Sequence, residues 1–137
     1  MRVLVLVKAT SESETGVMPS AELLAAMGAY NDALAEAGIM ETCDGLHPSS
    51  KGKRVAFDGA GRTVIDGPFR ATNELVAGYW IWKVEDMAEA VEWVKRCPNP
   101  MSGPSEIEIR PIFDAADFDD ALMHEAATLR DRNAASG

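Results

Sequence analysis

The chain has 137 residues, a mass of 14.7 kDa and a formal charge of −9. This length predicts a single domain spanning residues 1–137 that can bury a core without disulfides. A hydrophobic fraction of 47% and a charged fraction of 26% exclude a disordered chain. The excess of acidic residues argues against nucleic acid as a partner, because an acidic surface repels phosphates.

The apolar runs and the cysteines of the chain indicate in which compartment of the cell the protein is expected. The longest apolar run, Val3–Val7, is far shorter than the roughly 20 residues that cross a bilayer, so we expect no membrane partner. No small-residue cleavage site follows the run, which excludes a signal peptide. The two cysteines, Cys43 and Cys97, are too few for a disulfide scaffold. We therefore expect reduced thiols in a cytoplasmic protein.

The first third of the chain predicts a strand, a helix and a second strand. Residues 2–8 are apolar on both alternating faces, as in a strand that is covered on both sides. Ser20 is a good N-cap for a helix that ends before Gly38. Residues 39–46 favour a second strand. The apolar side of the helix consists of Leu23, Met27, Tyr30 and Leu34.

The remaining elements follow from turns and periodicity. Residues 54–57 and 62–65 flank an Asp-Gly-Ala-Gly turn and predict a hairpin, and residues 78–84 predict another strand. Asp86 caps a second helix, which ends before Pro98 and has a predicted buried stripe of Met87, Val91 and Val94, with Ala90 and Trp93 beside it. Residues 106–112 alternate as an edge strand does. A C-terminal helix is expected from about 117 to 132, with Phe118, Leu122 and Leu129 on one side.

Without the hairpin, this order is the ferredoxin-like βαββαβ pattern of the α+β class. In the strand 78–84, Tyr79 and Ile81 point to one face and Trp80 and Trp82 to the other, so neither face is polar. A second copy that packs sheet against sheet would cover the extra apolar face and give a homodimeric α+β barrel. The alternative is that the C-terminal helix folds across that face.

Several ordered motifs resemble the YCII-related family, in the branch named for its Asp-Gly-Pro-Phe (DGPF) motif. They cover residues 46–55, 64–69, 74–81, 92–93, 97–98 and 107–111, and the resemblance extends over a core of about 1–115. The resemblance implies a ferredoxin-like fold that dimerises into an α+β barrel, and no settled activity.

One family feature is missing from the chain. Many members of the family carry a His near the first helix and an Asp before a Pro after the second helix. Here the first helix has no His, and the residue before Pro98 is Cys97. The loss of this His–Asp pair weakens the case for an enzyme.

Asp66 is the first candidate for chemistry. It lies between a strand and Gly67-Pro68, where its carboxylate, in an apolar cleft beside Phe69, would have a raised pKa and act as a general base. The alternative is structural, because an Asp before Gly-Pro commonly caps a turn by accepting backbone N–H bonds.

The loop 49–54 is the second candidate. Ser49, Lys51, Lys53 and Arg54 place hydroxyl and cationic groups around Gly52, and such groups hold a carboxylate or phosphate. The spacing excludes a nucleotide P-loop. The alternative is a solvated loop in which Arg54 pairs with Asp66 or Glu74.

His47 and the aromatic residues complete the candidate site. His47 is suited to acid–base catalysis near neutral pH, and with Cys43 alone nearby it does not predict a metal site. Tyr30 and Trp80, together with Tyr79 and Trp82, predict a pocket for a small, flat, apolar ligand. The alternative for these aromatic residues is packing in a dimer core.

Two functions therefore stay open. The first is a cofactor-free isomerase or lyase that moves a proton on a small, anionic molecule, with Asp66 as the base and His47 and Arg54 orienting the ligand. The second is a non-catalytic module that binds a small molecule or regulates another protein.

Overall fold

A computed structural model describes residues 1–70, 72–119, 122, 124, 125 and 129, and the side chain of Thr72 is not described. The strands are β1 (Arg2–Lys8), β2 (Met40–Gly45), β3 (Lys53–Asp58), β4 (Gly61–Asp66), β5 (Val76–Lys83) and β6 (Ile107–Pro111). The α-helices are α1 (Ala21–Glu36) and α2 (Met87–Lys95), and 3-10 turns lie at Ser13–Thr15, Ser49–Lys51 and Thr72–Glu74. Among these residues no helix has the length and apolar character needed to cross a membrane.

The main sheet has four antiparallel strands in the order β2-β5-β1-β6. This order is consistent with a ferredoxin-like fold and confirms the predicted α+β class. β3 and β4 form a separate hairpin inserted between β2 and β5. Each hairpin strand is one residue longer at both ends than predicted, and β5 begins at Val76 rather than at residue 78.

The core lies between one face of this sheet and the two helices. Val3 and Val5 of β1 are fully buried and face Trp82 and Trp80 across the ladder with β5. Leu34 of α1 and Ala90 of α2 are buried in the same cluster. Both tryptophans therefore belong to the helix-covered face, although the indole nitrogen of Trp82 has no hydrogen-bond partner among the residues described.

Helix α1 has the predicted boundaries, but its two halves pack differently. The Ser20 hydroxyl accepts a hydrogen bond from Leu23 N at 3.1 Å, and Gly38 has the positive φ of a C′ glycine. In the second half, Tyr30 and Leu34 are buried, and the Tyr30 hydroxyl donates to Trp93 O at 2.5 Å. Leu23 and Met27 in the first half are only half-buried. The helix is thus held against the sheet at its C-terminal end and less closely at its N-terminal end.

Helix α2 has the predicted cap and a different buried face. Asp86 Oδ1 accepts from Glu89 N at 2.9 Å, as expected. Ala90 is fully buried while Val91 is 37% exposed, so the predicted stripe of Met87, Val91 and Val94 is wrong at Val91. The small Ala90 faces the sheet, and Val91 lies about 100° further round the helix.

The opposite face of the sheet carries an apolar patch. Leu4 lies opposite Ile81 in the β1–β5 ladder, and Leu6 is the next residue on that face; all three are half-buried. The alternative cover for this face was the helix predicted over 117–132, most of which lies outside the described residues. Its described apolar side chains, Phe118, Leu122 and Leu129, are each more than half exposed.

Candidate functional site

Ser49 joins three loops at one end of the molecule. Its backbone N–H donates to Glu14 Oε2 at 3.0 Å, and its hydroxyl donates to Glu14 Oε1. The hydroxyl oxygen also accepts from Phe69 N at 2.9 Å. The loop before α1, the loop after β2 and the loop after β4 are therefore held together, and we call this place the loop junction (Glu14, Ser49, Gly52, Gly67 and Phe69).

Gly67 allows the closest backbone approach in the loop junction. Its N–H donates to Gly52 O at 3.0 Å, and its peptide bond to Pro68 is cis. A Cβ at position 67 would lie 1.7 Å from Ser49 O. Only glycine fits there without displacement of backbone atoms.

The charged side chains beside the junction are paired differently from the prediction. Lys53 and Asp66 are direct cross-strand partners in the hairpin, and Lys53 Nζ donates to Asp66 Oδ1 at 2.5 Å. Arg54 points to the other face of β3, where its guanidinium lies 4.0 Å from the centre of the Phe69 ring. The alternative in which Arg54 pairs with Asp66 is therefore wrong. The Asp66 side chain is 74% exposed, rather than enclosed in an apolar cleft.

An open cleft of about 1430 Å³ lies next to the loop junction. The first half of α1 forms one wall, β2 and β5 form the floor, and the loops before α1 and after β2 form the rim. Its apolar lining includes Leu23, Leu24 and Met27 from α1, Trp80 and Ala77 from β5, and Val17 and Met18 from the rim. The cleft exists because α1 packs less closely at its N-terminal end.

Polar groups are concentrated at the rim of the cleft. His47 and Lys51 are exposed on the loop after β2, and the N-cap of α1, Ser20, also lines the cleft. Two acids also line the cleft, and each accepts a hydrogen bond from a hydroxyl: Glu12 from Ser102, and Asp44 from Tyr79 at 3.0 Å. The hydrogen bond to Asp44 raises the pKa of Tyr79. Deeper in the cleft, Asn31 Oδ1 accepts from Trp80 Nε1 at 2.9 Å.

A family model of the YCII-related domain matches residues 1–116. The chain belongs to the YCII-related family. No curated protein matches it significantly.

This YCII-related chain brings together only part of the predicted site. His47, Lys51 and Trp80 line the cleft. Ser49, Arg54, Phe69 and Asp66 lie in or beside the loop junction, and among the described residues the cleft lining includes none of these four. Tyr30 is buried in the core, where burial raises its pKa, and its ring meets Trp80 edge-on at 6.0 Å.

Sequence reasoning missed the wall of the cleft. Leu23 and Met27 have the spacing of core residues, and nothing in the sequence distinguishes them from Tyr30 and Leu34. Asn31 and Met18 belong to no motif. Only the position of α1 on the sheet shows that these side chains line an open space rather than a packed core.

Cys97 lies where the resemblance led us to expect an Asp, and its thiol is not activated by its surroundings. Cys97, before Pro98, is half-buried, and burial raises its pKa to about 11. The thiol is therefore protonated at neutral pH. Within the described part of the chain, no three His, Cys, Asp or Glu side chains lie close enough to hold a metal ion.

Proposed function

We propose that this YCII-related protein, of the DGPF branch, binds a small anionic molecule with an apolar body in the cleft between α1 and the sheet, and that it does so as a homodimer. The observation that supports binding is the cleft itself. It has an apolar wall, and one lysine, Lys51, lines it together with His47. Clefts of this kind are the usual places where proteins bind small molecules.

The apolar wall favours a ligand with a hydrocarbon or aromatic body. Met18 is 79% exposed at the rim, and Leu24 is 56% exposed on the wall. Burying apolar surface of this kind contributes about 25 cal/mol per Å². Thioether side chains such as Met18 and Met27 adapt to ligands of different shape.

The rim favours an anionic group on that ligand. Lys51 and the N-terminus of the 16-residue helix α1 both line the cleft. The N-terminal end of a helix carries a partial positive charge that favours anions. His47 stands on the same loop as Lys51 and adds a hydrogen-bond donor. The anion expected on loop 49–54 is thus proposed to interact with Lys51 rather than with Arg54, which stacks on Phe69.

A cofactor-free proton-transfer enzyme is the second candidate. It is favoured by the position of His47 in the lining of the cleft, where it would remove a proton from a carbon next to the ligand's carboxylate or carbonyl and return it to another carbon. The sequence predicts Asp66 as the base of this proton transfer and Arg54 as a group that orients the ligand. In this proposal Asp66 has a lesser part, because it is exposed and paired with Lys53.

Thermal denaturation with matched ligands tests the binding proposal. We expect millimolar 4-phenylbutyrate to raise the Tm, and its uncharged amide to raise it less, because a ligand of the folded state stabilises it by mass action. The Lys51→Ala variant should lose the preference for the acid. The Lys95→Ala variant, which removes an exposed lysine of α2, should keep it.

The result also separates the two candidate functions. If neither compound raises the Tm at millimolar concentration, the binding proposal fails. If the acid binds and incorporates deuterium from D₂O in a reaction that the His47→Gln variant does not support, the protein is an enzyme. Binding without exchange across a panel of carboxylates favours the non-catalytic module.

A further inference from the structure

The hairpin presents an apolar face that is largely exposed in the part of the chain that the structure describes. Val55, Phe57 and Val64 lie on the same face, because Val55 is opposite Val64 and Phe57 is two residues further along β3. Phe57 is 72% exposed, and Val64 is 61% exposed. We call these three residues the hairpin face.

Two cations, Lys53 and Arg62, lie on the side of the hairpin face in a chain that is acidic overall. The Arg62 guanidinium lies 4.4 Å from the centre of the Phe57 ring, and Lys53 is on the same side of the hairpin. Arg54 and Asp58 lie on the opposite side of β3, and Asp66 pairs with Lys53 at 2.5 Å, so Arg62 supplies the unpaired positive charge on this side. The hairpin face thus suits a surface that is both apolar and acidic.

The C-terminal segment, residues 113–129 of the sequence, has this chemistry. It contains five acidic residues and no Lys or Arg. The rings of Phe113 and Phe118 lie 5.3 Å apart, and Phe113 is 73% exposed. Leu122 and Leu129 are exposed as well. An acidic segment with exposed aromatic and leucine side chains complements the hairpin face in charge and in polarity.

Topology separates the two surfaces within one chain. The hairpin follows β2 and the C-terminal segment follows β6, and these strands are the two edges of the four-stranded sheet. With strands about 4.8 Å apart, the edges lie roughly 14 Å from each other. A second copy related by a twofold axis parallel to the strands, with sheet facing sheet, would bring the β2 edge of one copy over the β6 edge of the other.

We propose that the hairpin face of one copy docks on the C-terminal segment of a second copy, and that the same contact is repeated by symmetry. This inference rests on the homodimer of the proposed function and is independent of ligand binding. It assigns an occupant to two apolar surfaces that are exposed among the described residues of the single chain, and exposed apolar patches of this kind mark interaction sites.

Disulfide trapping between mixed chains tests the contact. In a background with Cys43→Ala and Cys97→Ala, one chain carries Phe57→Cys and the other carries Phe118→Cys. We expect a covalent dimer in the mixture and far less in either variant alone. A mixture of Val91→Cys with Phe118→Cys is the control, because Val91 is an exposed apolar residue of α2 outside the contact.

Sedimentation gives a measurement that needs no cysteine. The Phe57→Ser variant should weaken dimerisation by about tenfold or more, as the loss of a central aromatic contact does. Val91→Ser should leave dimerisation unchanged. High salt should weaken the wild-type dimer, because screening reduces the attraction between the basic hairpin and the acidic segment.

Three other outcomes would overturn the proposed contact, and each has a different consequence for the homodimer. A dimer that is neither trapped nor weakened shows that only the sheets associate, and the homodimer then survives without this contact. A monomeric wild-type protein overturns both this contact and the homodimer, whereas ligand binding is judged separately by its Tm shift. A disulfide that forms inside a single chain carrying both cysteines shows that the C-terminal segment covers its own hairpin.

Discussion

At the residue scale, the loop junction depends on one glycine and one serine. Ser49 makes three hydrogen bonds to two other loops, and Gly67 lies against the Ser49 carbonyl. Both residues occupy connections between strands and helices rather than the core. Their side-chain sizes are nonetheless as constrained as those of core residues, because backbone meets backbone at this place.

Two alanine substitutions should therefore have opposite effects. Gly67→Ala should destabilise the fold by about 3 kcal/mol or more, since its Cβ would overlap the Ser49 carbonyl oxygen. Gly28→Ala should stabilise it by roughly 0.5–1 kcal/mol, because Gly28 lies within α1 and no atom stands within 4 Å of its Cβ position. Urea denaturation of both variants measures the difference. Equal midpoints for Gly67→Ala and wild type would contradict the close approach.

At the element scale, α2 approaches the sheet through its smallest side chain. Ala90 is fully buried on the side of α2 that faces the sheet, whereas Met87, Trp93 and Val94 around it are partly buried. A small residue at the contact lets the helix axis come near the strands. The rotation of α2 about its own axis is thus determined by side-chain volume as well as by hydrophobicity.

Substitutions at neighbouring positions of α2 test this orientation. Ala90→Leu should destabilise the protein by about 1–3 kcal/mol through overpacking, whereas Val91→Leu should change stability by less than about 0.5 kcal/mol. Thermal unfolding monitored by circular dichroism compares the two variants. If Val91→Leu is the more damaging change, the assigned face of α2 is wrong.

Local signals explain which elements could be predicted from the sequence. The caps Ser20 and Asp86 and the turn at Gly59 act within a few residues, so their positions were predicted closely. The buried face of α2 was wrong at Val91, because periodicity does not weigh the size of Ala90. Loop composition was enough to single out His47 and Lys51, which line the cleft. The pairing of Asp66 with Lys53 could not be predicted, because it depends on the register of the two hairpin strands.

At the scale of the whole molecule, the helix-free side of the sheet carries a half-buried apolar patch. Leu4, Leu6 and Ile81 form one patch there. The Arg2–Glu41 ion pair, at 2.9 Å, lies at its margin, and its hydrogen bond lowers the pKa of the Glu41 carboxyl. An apolar centre with a charged margin is the usual composition of a protein–protein interface, and it supports the proposed homodimer.

Light scattering tests this homodimer. At micromolar concentration we expect the wild-type protein at twice the chain mass of 14.7 kDa. Leu4→Glu should shift it to the monomer mass, because a carboxylate would be buried without a partner. Val91→Glu, on the outer side of α2, should remain dimeric. A wild-type protein that scatters as a monomer would exclude the dimer.

The position of β1 at the centre of the sheet has a consequence during synthesis. Val3 pairs with Trp82 on one side and with Pro111 on the other, so both neighbours of the first strand are translated long after it. Until then the apolar run Val3–Val7 leaves the ribosome without a partner strand and is open to aggregation. Strands that are far apart in the sequence pair slowly. We therefore expect chaperones that bind nascent chains to bind the unpaired residues Val3–Val7.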